Sequence, residues 1–191
     1  MPVGVHSGHD NDGLLAENAT PASRIPLPAT FVLEPSVLGG VESPLATDGS
    51  TVFAAVNNLA VRMTVHGVAE SGKAFEASIG TATGEMVAVS QDTGKIIWDD
   101  KLPSSPYGAA SVTNGVVFTT TYSGYLYAFS AATGAILLKT PLSSGSNAPV
   151  AVDGDYVLVG AGVQVPETNK QLIIAYRLGA TGGKLPDTVG P

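Results

Sequence analysis

A self-similarity with a period of 40 residues constrains this chain more than any other feature. Sliding the sequence by 40 positions places Gly84 on Gly124, Ala88 on Ala128, Ser90 on Ser130, Thr93 on Thr133, Gly94 on Gly134, Ile96 on Ile136 and Leu102 on Leu142. These are seven identities in 19 ungapped positions. Upstream, Thr113-Asn114-Gly115-Val116-Val117-Phe118 matches Val152-Asp153-Gly154-Asp155-Tyr156-Val157, and Thr47-Asp48-Gly49-Ser50-Thr51-Val52-Phe53 precedes both. Three copies are visible. Repeats of this length form solenoids and propellers, in which a unit buries its apolar surface against its neighbours.

The middle copy gives the anatomy of one unit. Residues 108–112 read as a first strand, and Asn114-Gly115 is a strong signal for a two-residue hairpin turn because both residues tolerate positive φ. Residues 116–121 form the second strand, Ser123-Gly124 turns the chain, and 125–130 form the third. Thr133-Gly134 makes the next turn, and 135–140 the fourth strand. Four antiparallel strands in about 40 residues make one propeller blade. No helical periodicity of useful length interrupts the pattern. The 23 Gly and 13 Pro fit many short strands joined by tight turns.

Composition narrows the partners. With 9 Lys plus Arg against 16 Asp plus Glu, the net charge is −7, which removes the basic footprint of nucleic-acid binding and disfavours an anionic membrane surface. At 44% apolar and 13% charged residues the chain has enough apolar material for a core. Zero cysteines exclude disulfides, thiolate metal sites and cysteine nucleophiles. No charged residue lies between Lys101 and Lys139, yet Pro103, Pro106, Gly108, Gly115, Gly124 and Gly134 break this run, so it reads as neutral β-structure and not as a membrane helix. Residues 1–6 contain neither a basic region nor an apolar stretch of signal-peptide length.

The copies differ in the connection between the second and third strands. From Gly115 to Gly124 the chain advances 9 residues, from Gly49 to Gly84 it advances 35, and from Gly154 to Gln171 it advances 17. In a propeller both insertions emerge on one face, and such insertions often mark a binding face. The first insertion, about residues 57–83, supplies the ligand candidates Asn57, Asn58, Arg62 and His66. Glu42, after a Gly pair, reads as a turn residue, with an axial carboxylate as the alternative. His6, His9, Asp10 and Asp12 form the densest group of potential metal ligands, although spacing in a Gly-containing loop imposes no geometry, and both Asp side chains also suit a backbone-bonding turn. No phosphate-binding glycine loop, Gly-x-Ser-x-Gly elbow or paired-carboxylate signature stands out.

Ala88, Thr93, Gly94, Lys95 and Trp98 stand in the spacing of the tryptophan-docking motif of quinoprotein-like β-propellers, the pyrroloquinoline-quinone repeat, with Ser90 in place of the motif's Asp. The second copy keeps Ala128, Thr133 and Gly134 but carries Leu138 at the Trp position; the third keeps Ala175 and, one residue late, Thr181-Gly182. The order of these elements sets the motif apart from WD40 repeats and makes Trp98-Asp99 a false WD signal. The resemblance covers about residues 43–183. It implies a structural role for Ala88, Thr93, Gly94 and Trp98, the indole fastening one blade to the next. Enzymes of this resemblance are dehydrogenases that hold pyrroloquinoline quinone and Ca²⁺ near the propeller axis, often with a stacking Trp, a vicinal Cys pair and an Asp base. Other members are non-catalytic periplasmic scaffolds and sensor ectodomains.

The expected fold is all-β, a partial β-propeller of the quinoprotein alcohol dehydrogenase-like type. Its expected divisions are an N-terminal connection with the remnant of a preceding blade (1–42), three blades (43–105, 106–146 and 147–183) and a tail (184–191). Three blades are too few for a closed ring, so the expectation is the C-terminal portion of a longer propeller, with self-association as the alternative way to complete it. The expected function is non-catalytic binding of a protein or small ligand on the face of the inserted loops; the alternative is part of a pyrroloquinoline quinone-dependent dehydrogenase acting on a small alcohol or sugar. The resemblance implies a periplasmic or secreted location, and it alone makes the quinone and Ca²⁺ possible cofactors.

Overall fold

In a computed structural model of the protein, residues 2–8, 30–36, 38–64, 75–77, 79–163 and 170–181 are described. They form an all-β structure with no α-helix among them. Two four-stranded antiparallel sheets follow the repeat. The first blade has the order β2 (Ala46–Thr47), β3 (Thr51–Asn58), β6 (Thr83–Ser90) and β7 (Ile96–Leu102). The second comprises β8 (Ser111–Thr113), β9 (Val116–Thr120), β10 (Tyr125–Ser130) and β11 (Ile136–Pro141), again in simple meander order. The third blade has three strands among the described residues: β12 (Ala151–Asp153), β13 (Tyr156–Ala161) and β14 (Leu172–Arg177). Within the first insertion, β4 (Val61–Thr64) and β5 (Phe75–Ala77) form a hairpin that β1 (Thr30–Leu33) extends to a separate three-stranded sheet.

Local sequence sets the turns. Asn114 and Gly115 both have positive φ, 47° and 76°, the signature of a type I′ hairpin whose twist matches the flanking strands. Gly134 also has positive φ, 77°, but it does a second job: a Cβ there would sit 2.9 Å from Trp98 Cδ2. The glycine thereby lets the second blade's backbone approach an indole carried by the first.

Between the first two blades lies the largest core, built from Phe53, Ala55, Met86, Ala88, Trp98 and Leu102 on one side and Ala110, Val117, Tyr127, Phe129 and Ala131 on the other. Alternation along each strand sends every second residue into this layer. Trp98 lies between Phe53 and Phe129, with ring centroids 5.9 and 6.1 Å away, and its Nε1 donates to the Ala131 carbonyl at 2.8 Å. Leu126, Leu142 and Val150 pack with Val159, Ala161 and Ile174 to join the second blade to the third. Each fully buried aliphatic or aromatic side chain of this kind contributes roughly 1.5–3 kcal/mol, so these interblade layers are a large source of stability.

The opposite ends of the strands are stitched by hydroxyls. Ser105 Oγ donates to Thr83 O, Ser123 N donates to Ser104 Oγ, Thr120 Oγ1 donates to Ala148 O, and Ser144 Oγ donates to Val163 O. Backbone bonds from Tyr122 N to Ser105 O and from Ser146 N to Thr121 O continue the seam. These contacts bring the connections β3–β6, β7–β8, β9–β10 and β11–β12, together with the start of β13–β14, to one edge of the molecule.

Candidate functional site

The most elaborate polar site lies at that edge, on the face of the first blade that points away from the second. Antiparallel register puts Val56, Glu85 and Lys101 in one row across β3, β6 and β7, and Asn58 one step further along β3. Residues directly opposite share a face, so Ala54, Val56 and Val87 form an apolar floor that leads up to Asn58, Glu85 and Lys101. A chain segment, residues 2–8, crosses this floor. Val3 packs on the apolar cluster, Gly4 N donates to Glu85 Oε2 at 3.1 Å, and Val5 N donates to Asn58 Oδ1 at 3.0 Å. Beyond them Ser7 N donates to Glu34 O, which ties the segment to the end of β1.

Glu85 is the electrostatic centre. It is 1% exposed, yet Lys101 Nζ lies 2.6 Å from Oε1 and Asn58 Nδ2 donates to the same oxygen at 3.1 Å. Burial by itself pushes this carboxyl up; the Lys101 and Asn58 hydrogen bonds, the Lys101 charge and the Gly4 amide outweigh it and hold Glu85 below the ordinary glutamate value. Burial likewise pushes Lys101 down, but its bonds to Glu85 and Asp99 and their charges leave it above the ordinary lysine value. Lys101 Nζ also reaches Asp99 Oδ2 at 3.0 Å, and its side chain stays 67% exposed. Around these residues lies an open pocket of about 470 Å³ lined in part by Gly4, Val5, Asn58, Glu85, Lys101 and Pro103. The arrangement holds a buried acceptor pair, Glu85 Oε2 and Asn58 Oδ1, with an exposed ammonium beside it. It is suited to binding N–H groups.

The residues expected from sequence fall in different places. Asn58 belongs to the site, as the last residue of β3 and not as part of a loop. Asn57 is also in β3 and fully buried; its backbone pairs with Gly40 in both directions, while its side-chain amide has no hydrogen-bond partner among the described residues. Arg62 is exposed on β4, where Val32 of β1 and Glu76 of β5 flank it in register. His6 is exposed, with Nε2 2.9 Å from Val3 O. His9, Asp10, Asp12 and His66 lie outside the described residues. Among the described residues no group of three or more His, Cys, Asp or Glu is gathered to hold a metal ion. Glu42 is exposed; burial, with a smaller push from the Glu42 charge, raises the Tyr107 phenol. Thr93 and Gly94 form an exposed turn, closed by Gly94 N donating to Ser90 O, whereas Ala88 is buried directly across from Trp98.

Glu85 and Lys101 were not among the sequence candidates. A signal for Glu85 existed: it is the one charge in the otherwise neutral run Thr83–Ser90, at a position where strand alternation calls for burial. Lys101, three residues after the docking-motif Trp98, falls across from it only once the β6–β7 register is known.

The quinone implied by the resemblance can be tested against these residues. The sole Trp is buried between blades with its N–H on Ala131 O, and the chain has no Cys. A stacking indole and a vicinal Cys pair are therefore not supplied by these residues.

Comparison with solved structures fixes the fold. A quinohemoprotein alcohol dehydrogenase from Pseudomonas putida HK5 superposes with a TM-score of 0.61 at 16% identity, covering 84% of this chain and 29% of that one. The quinohemoprotein alcohol dehydrogenase of Comamonas testosteroni gives 0.58 at 23% identity, covering 76% and 27%. A europium-containing methanol dehydrogenase gives 0.52 at 20%, covering 69% and 26%. The likeness at these identities is one of fold, and this chain spans less than a third of each of those proteins. A search of curated protein sequences finds no match. The family described as outer membrane protein assembly factor BamB, built on the pyrroloquinoline-quinone repeat, matches residues 82–184, more than half of the sequence. By that match, and by the antiparallel blades that carry it, this chain belongs to the pyrroloquinoline-quinone-repeat β-propeller family.

Proposed function

We propose that this chain is a non-catalytic, extracytoplasmic propeller module that binds a protein or small ligand at the edge carrying the inserted hairpin. The observation that carries the reading is the engagement of Trp98 in the blade junction: its N–H is held by Ala131 O and its ring by Phe53 and Phe129. The only indole is thus unavailable to a cofactor, while the same molecule holds a hydrogen-bonding pocket at Asn58, Glu85 and Lys101 and an exposed Arg62 on the hairpin beside it. The family description names an outer-membrane assembly factor, which supports a location outside the cytoplasm. Among the described residues no helix is long and apolar enough to cross a membrane.

A second reading, part of a pyrroloquinoline quinone-dependent dehydrogenase, is favoured by superposition on three such enzymes or their relatives. Gel filtration of the protein with the quinone and Ca²⁺ separates the two. The binding-module reading expects the quinone absorbance to elute as free cofactor; stoichiometric co-elution with the protein would overturn it. Displayed peptides selected on the immobilised protein should include binders whose retention falls on Arg62→Ala, and a selection yielding none would count against the edge as a recognition surface.

We also propose that the remaining partners are further blades or a second copy seated on the third blade. Leu158, Ile173 and Ala175, which share the face pointing away from the second blade, are exposed.

A further inference from the structure

The segment 2–8 sits on the first blade as a ligand sits in a groove. Its contacts are far from it in sequence: Glu85 follows Gly4 by 81 positions, and Asn58 follows Val5 by 53. The groove recognises three properties. Two consecutive backbone N–H groups are read by two side-chain acceptors, Glu85 Oε2 and Asn58 Oδ1, in residues that are 1% and 6% exposed. The central residue must lack a side chain, because a Cβ on Gly4 would lie 2.9 Å from both Asn58 Oδ1 and Val56 Cγ1, and φ there is +83°. The preceding residue must be apolar, since Val3 packs on Ala54, Val56 and Val87.

Glu85 and Asn58 are held to each other by the Asn58 Nδ2 donation to Oε1, and Lys101 fixes the carboxylate from the far strand. The acceptors are therefore positioned by the blade and not by the segment. None of the three requirements depends on the ligand being covalently attached.

We propose that this groove is a peptide-binding clamp for segments in which an apolar residue precedes a glycine of positive φ, and that Val3-Gly4-Val5 is its resident ligand. The proposal rests on reading this edge as a binding surface and gives that reading a ligand class. As part of the same chain, the segment competes with a free peptide through its effective concentration. The clamp therefore exchanges its own segment for a tighter or more concentrated peptide from another chain.

A fluorescent peptide with the sequence of residues 2–7, Pro-Val-Gly-Val-His-Ser, tests this by fluorescence anisotropy. With the Gly4→Ala protein, whose own segment is displaced, the peptide should bind at a single site. An Ala replacement at the peptide glycine, and a sarcosine replacement that puts an N-methyl in place of its N–H, should each weaken binding at least about tenfold. Binding to the unaltered protein should be at least about tenfold weaker than to Gly4→Ala, and saturating peptide should release the Gly4 and Val5 amides to hydrogen exchange. The exchange measurement keeps the test valid if Gly4→Ala fails to fold. Equal affinity for the glycine, alanine and sarcosine peptides, or Gly4 and Val5 amides that stay protected at millimolar peptide, would overturn the clamp. Quinone co-elution would instead overturn the binding-module reading, so the two failures are distinguishable.

Discussion

Trp98 shows how much of the architecture rests on one side chain. Its ring joins Phe53 of its own blade to Phe129 of the next, and its N–H satisfies a buried carbonyl. Trp98→Ala should cost roughly 3–5 kcal/mol, and Trp98→Phe, which keeps most of the apolar area but orphans Ala131 O, about 1–3 kcal/mol. Urea unfolding monitored by circular dichroism measures both; a Trp98→Ala midpoint equal to that of the parent would remove the indole from the junction. Charge at the same scale gives two pH profiles of opposite sign. Glu85 titrates lower in the folded chain than its ordinary 4.5, so its contribution is complete above that pH and is lost as pH falls through the folded value. Glu85→Gln should therefore lower the melting temperature at pH 7, and the gap from the parent should shrink below pH 4.5 and close as pH falls through the lower folded value. Asp100 is raised from 3.8 by burial and by the Asp99 charge, and its Oδ2 is buried without a hydrogen-bond partner among the described residues. Its ionised form opposes folding, so Asp100→Asn should raise the melting temperature at pH 7, and that gain should disappear as pH falls through the folded value and Asp100 takes up its proton. Melting curves between pH 3 and 7 that move the two variants in the same direction would contradict this assignment.

At the scale of the element, the turns were the most legible part of the sequence and the insertion the least. The middle copy shows why: β10 begins at Tyr125 and ends at Ser130 as the spacing implies, since Gly124 and Gly134 fix its flanking turns locally. The first strand is shorter than the alternation suggests, Ser111–Thr113, because Gly108 N bonds Thr120 O while Ala110 N leaves the sheet for Pro44 O. The hairpin β4–β5 was not legible, because its third strand, Thr30–Leu33, comes from about 30 residues upstream and no local pattern announces the pairing. The placement of residues 2–8 escaped the sequence for the same reason, and without it the lone charge of Glu85 had no partner to mark it as a candidate site residue. A pair of glycines separates local from interblade demands. Gly115 and Gly134 have nearly the same φ, 76° and 77°, but a Cβ at Gly115 meets nothing within 4 Å whereas one at Gly134 meets Trp98 and Asp100. Gly115→Ala should therefore cost only the left-handed backbone penalty, about 1–2 kcal/mol. Gly134→Ala should cost more, and Trp98→Ala should relieve the excess. A double-mutant cycle reads this coupling directly, and additive effects would show that the indole does not lean on that turn.

For the whole molecule, the two end faces of the blade stack are treated differently, and the difference makes a prediction. The outer face of the first blade is covered: Val3 lies on Ala54, Val56 and Val87, and the amides of Gly4 and Val5 are held by Glu85 and Asn58. The corresponding face of the third blade is left open by the described residues. There Ile173 is 84% exposed, with Leu158, Tyr156 and Ala175 of the same face also exposed. Propellers close with typically four to eight blades, and covering one such aliphatic side chain is worth roughly 1.5–3 kcal/mol, so this face gains from a neighbouring sheet. The repeat made the number of blades legible; it could not show that one end carries its own cover, because that cover lies outside the repeat. The chain by itself should therefore associate through the third blade and not the first. Light scattering across a concentration series should show a mass that rises with concentration, and Ile173→Lys with Leu158→Lys should return it to that of a single chain. Gly4→Ala, which uncovers the first blade, should instead add to the association. If the paired lysines leave the concentration dependence unchanged, the third blade is not the surface that seeks a neighbour.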